Sequence, residues 1–515
     1  MPGSDIPIEV IDPPGGNAFY VSERKIYPRD VSGTFARLRI VAVFWLLGMF
    51  YVFPWLRWGG RQLVLFDLPA RKFYVFGLTF WPQDFVFLSI LLMIAALTLF
   101  FSTALAGRLW CGYACPQTVW TEVFLWIERK TEGDRNRRMK LDAGPWTAEK
   151  FLRKGSKHVL WLALALWTGF TFVGFFTPIT ELSARLWPFH WSGWETFWVF
   201  FYALATWGNA GFLREQVCKY MCPYARFQSA MFDRNTLLIA YDPMRGEPRG
   251  PRKRGLASVL GRARGLLDPR TANDYVFRAS HRDAPSAALS AGTITLAGAG
   301  VKAEPLPKFA PEELGDCIDC SICVQVCPTG IDIRKGLQYE CIACGACIDA
   351  CDDVMGKMGY ARGLIRYSTQ NAIDGKATRV VRPRVIVYAV LWLGLIVAWS
   401  WGVTHRSPLI VEVLRDRNAL YRQVDHGIEN GYTLKLVNKT DLTQHYRVQL
   451  VSGDSRIAML GGTQAVNAAP ASVVSIPVTL TAPEAVKGRQ IVRFAIETAD
   501  GQTHKDVDSS FFGPP

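Results

Sequence analysis

The chain has 515 residues, 50% of them hydrophobic and 13% aromatic, with a positive mean hydropathy and a formal net charge of +14. This composition excludes a single small soluble domain and predicts a membrane protein with several domains. A basic chain can also bind nucleic acid. The basic residues here lie beside apolar runs, however, and no nucleic-acid-binding motif accompanies them, so we predict no nucleic-acid partner.

Residues 1–37 are polar and show no signal-peptide cleavage pattern, and they are predicted to form a cytoplasmic N-terminal segment. Apolar runs long enough to cross a bilayer follow at 38–56, 85–106, 159–179 and 194–212. The region 38–243 is therefore predicted to hold transmembrane helices one to four. A fifth helix is predicted at 384–402, which gives an α-helical bundle of about five spans.

The basic residues of the loops predict the orientation of these spans. The loop after the second span is rich in lysine and arginine, whereas the loop after the third span contains only Arg185. The first of these loops should face the cytoplasm of a bacterial cell, so the C-terminal part of a five-span chain should lie in the periplasm. Four basic residues after the first span favour the opposite orientation: Arg57, Arg61, Arg71 and Lys72.

Two short motifs with the same spacing follow the second and the fourth predicted span. They read Cys111-Gly-Tyr-Ala-Cys115-Pro116 and Cys218-Lys-Tyr-Met-Cys222-Pro223, and the second repeats the first at an offset of 107 residues. Cysteines four residues apart share one helix face, and proline suits the first turn of a new helix. Cys115 and Cys222 are therefore expected at helix N-termini, where the backbone dipole stabilises a thiolate.

Four thiolates near one membrane surface suit a soft metal ion, above all Cu(I). The candidate copper ligands, and the candidate catalytic residues, are Cys111, Cys115, Cys218 and Cys222. One alternative is that these cysteines are buried and unreactive. Another is a third iron–sulfur cluster, although the motif lacks the C-x2-C element.

Residues 244–310 form a basic and low-complexity segment that should lie in the cytoplasm. Arginine, proline and glycine dominate up to residue 270, and alanine, glycine and serine dominate 283–305. We interpret the basic part as a surface near anionic lipid headgroups and the remainder as a linker or insertion.

Residues 311–370 contain eight cysteines in two copies of the spacing C-x2-C-x2-C-x3-C, which is typical of bacterial ferredoxins with two [4Fe-4S] clusters. In such motifs the fourth cysteine binds the cluster of the other copy. The predicted ligands of the first cluster are Cys317, Cys320, Cys323 and Cys351. The predicted ligands of the second cluster are Cys341, Cys344, Cys347 and Cys327. Zinc knuckles are the alternative, but zinc sites group their ligands in two separated pairs.

Residues 408–515 contain short runs in which apolar and polar residues alternate, separated by turns that contain glycine, asparagine and aspartate. The runs are 432–437, 446–451, 472–478 and 490–496. This pattern predicts half-buried strands and an immunoglobulin-like β-sandwich without a disulfide. Its expected role is packing or docking.

The whole arrangement resembles the CcoG family of cytochrome c oxidase accessory proteins, also called FixG or RdxA. The resemblance rests on the five spans, both C-x3-C-P motifs, the two-cluster stretch and the β-sandwich. It includes the local sequences 315–320, 327–334 and 363–367, and also Arg245-Gly-Glu-Pro-Arg249. It leaves out the insertion around 255–310.

The resemblance implies a cupric reductase that reduces Cu(II) to Cu(I) for a cbb3-type oxidase, with copper as substrate or bound ion on the C-x3-C-P cysteines. It also implies a cytoplasmic electron donor, a copper chaperone or copper-transporting ATPase, and oxidase assembly factors as partners. The sequence names neither the donor nor the oligomeric state. Two other functions stay open: a quinol-linked electron conduit to a periplasmic reductase, and a redox-silent copper scaffold.

Overall fold

A computed structural model describes residues 25–187, 190–251, 314–416, 419–424, 427–440, 442–452, 454–501 and 503–515. The alanine-, glycine- and serine-rich stretch 283–305 lies outside these residues, as does most of the basic segment. The chain forms two compact units. Unit 1 comprises Met1–Leu47, Ser102–Ala165 and Leu204–Arg382, and unit 2 comprises Gly48–Phe101, Leu166–Ala203 and Pro383–Pro515.

The helices, in chain order, are α1 (Thr34–Val52), α2 (Phe85–Ala106), α3 (Leu109–Tyr113), α4 (Pro116–Glu132), α5 (Arg135–Ala143), α6 (Ala148–Val173), α7 (Ile179–Ala184), α8 (Gly193–Thr206), α9 (Pro223–Met231), α10 (Pro243–Gly246), α11 (Ile322–Gln325), α12 (Ala346–Met358), α13 (Gln370–Ile373) and α14 (Pro383–Thr404). Two π-helical segments, Trp207–Leu213 and Val217–Met221, lie between α8 and α9. Short 3₁₀ turns occur at Phe53–Trp55, Pro82–Asp84 and Ile333–Lys335.

Among the described residues, three helices are long and apolar enough to cross a membrane: Thr34–Trp55, Pro82–Ala106 and Pro383–Thr404. They correspond to the first, second and fifth predicted spans. The third predicted span falls in α6, whose first half carries lysine and arginine side chains. The fourth falls in α8, which has only 14 residues before the π-helical segment begins. The number of five spans therefore stays a prediction.

The two-cluster part of unit 1 includes a strand that the sequence analysis did not separate from its surroundings. Strand β6 (Leu238–Tyr241) pairs antiparallel with β7 (Ile365–Ser368), in the register Leu238↔Ser368. Ile239 and Tyr241 pack in the same core as Met355 and Leu364. Residues 238–251 thus belong structurally with the two-cluster domain. The sequence analysis divides them between the membrane helices and the basic segment, because the insertion around 255–310 separates them from residue 314 along the chain.

The N-terminal end of α1 is fixed to the two-cluster domain by Asp349 of α12. The carboxylate oxygens of Asp349 accept hydrogen bonds from the backbone N–H groups of Phe35 and Ala36, at 3.1 and 2.7 Å. These amides have no partner within their own helix, so the carboxylate acts as the helix cap. Arg39, one turn later, donates a 2.7 Å hydrogen bond to the carbonyl of Cys344.

Unit 2 contains the remaining strands: β1 (Arg57–Trp58), β2 (Arg61–Gln62), β3 (Val64–Asp67), β4 (Lys72–Val75), β5 (Leu78–Phe80), β8 (Leu409–Arg415), β9 (Arg422–Val424), β10 (Gly427–Asn438), β11 (Gln444–Ser452), β12 (Ala458–Met459), β13 (Gln464–Ala468), β14 (Val473–Ala482), β15 (Arg489–Thr498) and β16 (His504–Phe512). One C-terminal sheet has the order β12-β14-β10-β8, with β9 paired to β10, and the other has the order β13-β11-β15-β16. Their inner faces share one core, which confirms the predicted β-sandwich. The four predicted runs fall in β10, β11, β14 and β15.

The loop between the first two predicted spans is also structured, which the sequence analysis missed. Strands β3, β4 and β5 form an antiparallel meander. Lys72 of this meander donates a 2.8 Å hydrogen bond to the carbonyl of Ala471, and Lys439 forms a 2.7 Å ion pair with Asp84. Both side chains of that pair are only 5% exposed. The loop and the β-sandwich are therefore packed together within unit 2.

Candidate metal centre

The two copies of the C-x2-C-x2-C-x3-C motif fold in the same way. In the first copy Asp319 and Ser321 have left-handed backbone angles, with φ of 53° and 54°. In the second copy Ala343 and Gly345 occupy the equivalent places, with φ of 52° and 75°. Left-handed residues on both sides of the second cysteine curl each loop tightly. Few residues other than glycine adopt this geometry without a compensating interaction, so its duplication indicates a shared functional constraint.

The first group of cysteines surrounds a cavity. Its cysteine side chains are Cys317, Cys320, Cys323 and Cys351. Burial, together with negative charge on Cys323 or Cys317, raises the pKa of the Cys351 thiol to about 12. Cys351 lies 28 residues or more from the other three in sequence, and the structure nevertheless brings it to them, as the crossed ligand pattern predicts.

The second group surrounds a similar cavity. Cys327, Cys341, Cys344 and Cys347 line it, and Cys323 of the first group also lines it. Burial, together with negative charges on Cys344 and Cys327, raises the pKa of Cys341 to about 12, although a hydrogen bond from the Ala343 backbone opposes this rise. Cys327 therefore belongs with the second copy, although it lies in the first copy in sequence.

The donor set fits a cluster better than a single ion. Among the described residues, no three cysteine, histidine, aspartate or glutamate side chains are placed to hold one metal ion. Each cavity is lined by the four thiols of its group, and thiolates are the ligands that [4Fe-4S] clusters require. The same arrangement argues against the zinc alternative, in which four ligands close on one ion.

The C-x3-C-P cysteines occupy breaks between helices. Cys111 lies in α3, and Cys115 is the residue that precedes α4, with Pro116 in the first turn. Cys218 lies in the second π-helical segment, and Cys222 precedes α9 in the same way. The expected helix N-termini are thus present. The two cysteines of each pair do not lie on one continuous helix, however, because α3 ends at Tyr113, before Cys115, and the second π-helical segment ends at Met221, before Cys222.

The four C-x3-C-P thiols lie near one another in unit 1. Burial, together with negative charges on Cys115, Cys111 and Cys222, raises the pKa of the Cys218 thiol to about 12. Burial likewise raises the pKa of Cys115, although hydrogen bonds from the backbones of Gln117 and Thr118 lower it. The backbone N–H groups at the helix N-terminus therefore do stabilise the thiolate of Cys115, but burial outweighs them.

Neighbouring side chains hold the two repeats together. Gln117 of α4 donates hydrogen bonds to the carbonyls of Asn209 and Arg214, at 2.9 and 3.1 Å, just before the second repeat. Gln228 of α9 is fully buried, and its amide oxygen lies 3.3 Å from the sulfur of Cys111. Each repeat is therefore positioned by a glutamine that belongs to the helix following the other repeat. Sequence reasoning missed both glutamines, because nothing in the motif spacing marks them.

The thiol site also adjoins the second cysteine group. The side chain of Cys111 packs in a small core with Ile342 and Cys344. An open cavity adjoins this contact, and both Cys218 and Cys344 line it. The remaining walls come from residues 26–31, from α4 and from the loop at 326–329. Solvent can thus approach the thiol site from the side of Cys218.

Comparisons with known proteins agree with this architecture. Residues 213–265 and 300–370 match a family described as "4Fe-4S dicluster domain", and residues 399–514 match one described as "IG-like fold at C-terminal of FixG". Residues 88–132, which include Cys111 and Cys115, match a family described as "4Fe-4S binding domain".

Three curated relatives cover most of the chain. The nitrogen fixation protein FixG of Rhizobium meliloti is 37% identical over 81% of this chain and 78% of its own length. Protein RdxA of Cereibacter sphaeroides is 38% identical over 83% of this chain and 82% of its own. Protein RdxB of the same organism is 36% identical over 91% of this chain and 90% of its own. With its two-cluster cysteine groups, its apolar helices and its C-terminal β-sandwich, the chain belongs to the FixG/RdxA family of membrane-associated iron–sulfur electron-transfer proteins.

Proposed function

We propose that this protein reduces Cu(II) to Cu(I), with Cys111, Cys115, Cys218 and Cys222 holding the copper substrate. The observation that carries the proposal is the contact between Cys111 and the loop of Cys344, because it joins a soft-metal site to an electron-transfer module. When bound, [4Fe-4S] clusters supply one-electron transfer, which is the redox change that converts Cu(II) to Cu(I). The chain's own task is to hold four sulfur donors beside that module.

The exposure of the cysteines supports a direction for electron flow. Cys320 of the first group is exposed, whereas Cys344 of the second group is buried. A soluble donor would therefore meet the first group, and the second group would face the thiol site. The basic loops support a cytoplasmic position for this part of the chain and a periplasmic position for the β-sandwich. A bacterial inner-membrane location follows from the same argument.

Two of the four basic residues after the first span make contacts within unit 2, which weakens their weight against this orientation. Lys72 lies over the ring of Trp81 and bonds to Ala471, and Arg61 lies over the ring of Tyr74. Because Lys72 and Arg61 make contacts within unit 2, their positive charges are weak evidence for the side of the membrane on which this loop lies. A reporter enzyme that is active only in the periplasm should work when fused after residue 515 or near Arg185, and should stay inactive when fused near Asp268. Activity in the reverse pattern would overturn the proposed orientation.

Copper reduction implies partners that supply Cu(II) and receive Cu(I). The family resemblance supports a copper chaperone or a copper-transporting ATPase, and assembly factors of a cbb3-type cytochrome c oxidase, as those partners. The β-sandwich would then be the docking module. These assignments rest on the resemblance and on the thiol chemistry of the site.

The test is Cu(II) reduction by anaerobically purified protein with a chemical electron donor. We expect steady formation of Cu(I) by the wild type. The double variants Cys111→Ser/Cys115→Ser and Cys218→Ser/Cys222→Ser should lose it, because serine offers a hard, protonated oxygen in place of sulfur. Unchanged reduction by both variants would refute the proposal. Oxidation of a quinol by the same wild-type sample, with no copper reduction, would favour the quinol-linked conduit instead.

A third iron–sulfur cluster on the same four cysteines is the second candidate. The family match over residues 88–132 favours it, since that match covers Cys111 and Cys115. So does the finding that no three described side chains are placed around a single ion. Iron analysis separates the two candidates, because a third cluster would bring about twelve iron atoms per chain rather than about eight.

A further inference from the structure

The two C-x3-C-P repeats differ at the residue that follows the first cysteine. In the first repeat this residue is Gly112, and in the second it is Lys219. The next residue is tyrosine in both, Tyr113 and Tyr220. The two repeats therefore share their cysteines but can differ in function. The contacts of the residues between the cysteines distinguish the two repeats.

Gly112 packs directly on the backbone of the loop between Cys341 and Cys344. A methyl group at residue 112 would lie 2.7 Å from the carbonyl oxygen of Ile342, 2.9 Å from Cα of Cys344 and 3.0 Å from the carbonyl carbon of Ala343. All three are backbone atoms of a tightly curled loop, so they cannot move aside as a flexible side chain would. Only glycine allows the first repeat to come this close.

Tyr113 adds a polar contact to the same loop. Its hydroxyl donates a 3.3 Å hydrogen bond to the carbonyl of Cys344. The hydroxyl of Tyr367, 3.5 Å away, donates a 2.6 Å hydrogen bond to the carbonyl of Ala343. The equivalent residue of the second repeat, Tyr220, is 59% exposed. The tyrosine of the first repeat thus holds the cluster loop, and that of the second repeat faces outward.

A buried cation lies next to this contact. Arg108, four residues before Gly112, is only 3% exposed, and its guanidinium donates a hydrogen bond to the carbonyl of Ala225 in α9. Because α9 follows the second repeat, this hydrogen bond ties the beginning of the first repeat to the second.

We propose that only the first repeat receives electrons, through the contact of Gly112 and Tyr113 with the loop of Cys341–Cys344. Gly112 and Tyr113 are positioning residues that fix Cys111 against this loop. The second repeat supplies Cys218 and Cys222 to the copper substrate from the side of the open cavity. The proposal rests on the proposed function, in which each Cu(II) takes up one electron and becomes Cu(I). Cys327, Cys341, Cys344 and Cys347 would hold the iron–sulfur group that supplies this electron and is itself oxidised by one electron.

The first test compares Tyr113→Phe with the matched variant Tyr220→Phe. Protein reduced beforehand without excess donor is mixed rapidly with Cu(II), and the rate at which the iron–sulfur absorbance returns is measured. We expect the Tyr113→Phe rate to fall at least about tenfold, since a misplacement of about 1 Å can cost about a hundredfold. Tyr220→Phe should stay within about twofold of the wild type. Equal rates in both variants would overturn the proposal.

The second test compares Gly112→Ala with Gly155→Ala, where an added methyl group meets no atom within 4 Å. Gly112→Ala should slow the reaction more than Tyr113→Phe does, and Gly155→Ala should not slow it. Electron paramagnetic resonance supplies a readout independent of turnover: Cu(I) bound to the thiols should perturb the signal of one reduced cluster in the wild type, and Gly112→Ala should weaken that perturbation. An undiminished perturbation in Gly112→Ala would contradict the proposal.

Iron content and the wild-type reaction separate the causes of failure. A variant is informative only if it keeps the wild-type iron content. If Gly112→Ala loses iron, the rate of the more conservative Tyr113→Phe variant tests the role of the first repeat. The wild type is also compared with a variant in which all four C-x3-C-P cysteines are changed to serine. If Cu(II) reoxidises both proteins at the same rate, the proposed function is refuted. If the wild type reacts and Tyr113→Phe reacts equally fast, only the role of the first repeat is refuted.

Discussion

The side chain of Arg214, four residues before Cys218, donates a 2.8 Å hydrogen bond to the carboxylate of Glu128. Arg214 has a left-handed backbone with φ of 38°, which is costly for a residue other than glycine. The same carboxylate, fully buried, accepts a 3.2 Å hydrogen bond from Arg138. A single carboxylate of α4 therefore pairs with two buried guanidinium groups, one of which belongs to the segment that leads into the second repeat.

Replacing this carboxylate should destabilise unit 1. Glu128→Gln would leave Arg138 and Arg214 as buried charges without compensation, and removing one partner of a buried ion pair costs about 3–5 kcal/mol. We expect a clear fall in the midpoint of thermal unfolding in detergent. Glu149→Gln is the matched control, because Glu149 pairs with Arg153 while 64% exposed, and its loss should leave the midpoint unchanged. Equal midpoints for wild type and Glu128→Gln would contradict the structural role of this network.

Asp142 should make the stability of unit 1 depend on pH. Burial would raise its pKa, but hydrogen bonds from Lys154, Tyr27 and Lys25 outweigh burial and hold the pKa below its ordinary value. A carboxylate with a depressed folded-state pKa adds stability above its unfolded-state pKa of about 3.9, and this stability is lost as pH falls towards the folded-state value. In urea unfolding, the free energy of unfolding of the wild type should therefore exceed that of Asp142→Asn by a constant amount at pH 5–6. The margin should shrink by pH 3, and a margin that grows on acidification would refute this assignment.

The two cysteine groups should each hold one cluster. We expect about eight iron atoms and eight acid-labile sulfides per chain from the crossed ligand pattern. Cys344→Ser should damage the second cluster and leave the first largely assembled, whereas Cys111→Ser should keep the full iron content. Four iron atoms per wild-type chain, or stoichiometric zinc, would contradict the assignment of the eight cysteines.

The β-sandwich should loosen when the ion pair between Lys439 and Asp84 is broken. Lys439→Met leaves a buried carboxylate without its partner, and we expect a loss of about 3–5 kcal/mol in local stability. Hydrogen exchange of the amides in β10 and β14 measures this loss. Arg493→Met, at an exposed pair with Asp508, is the control and should leave the exchange unchanged. Unaltered exchange in Lys439→Met would show that the pair does not support the sandwich.

Much of the architecture could be predicted from the sequence, because its signals are local. The spacing of Cys317, Cys320 and Cys323 specifies a cluster loop, and the alternation of residues 432–437 specifies a strand. Pro116 and Pro223 begin helices as expected, since proline fits only the first turn. The long apolar runs of α1, α2 and α14 likewise predict helices.

The remaining features depend on contacts between distant residues, which no local pattern encodes. Gln228 reaches Cys111 across 117 positions of the chain, and Asp349 caps a helix that begins more than 300 residues earlier. The pKa of Cys115 was misjudged because the helix terminus is visible in the sequence, whereas the burial that outweighs it is not. Strand β6 is too short to be distinguished without its partner β7.

The central claim is that Cys111, Cys115, Cys218 and Cys222 together bind the copper substrate beside the second cysteine group. X-ray absorption at the copper edge, on anaerobic protein loaded with one Cu(I) per chain and analysed for iron, tests it most directly. We predict coordination by sulfur alone, drawn from both repeats, so that each of the two double serine variants loses sulfur ligands while its iron content stays at about eight per chain. Copper bound through nitrogen or oxygen, or a wild-type iron content near twelve that falls in these variants, would contradict it.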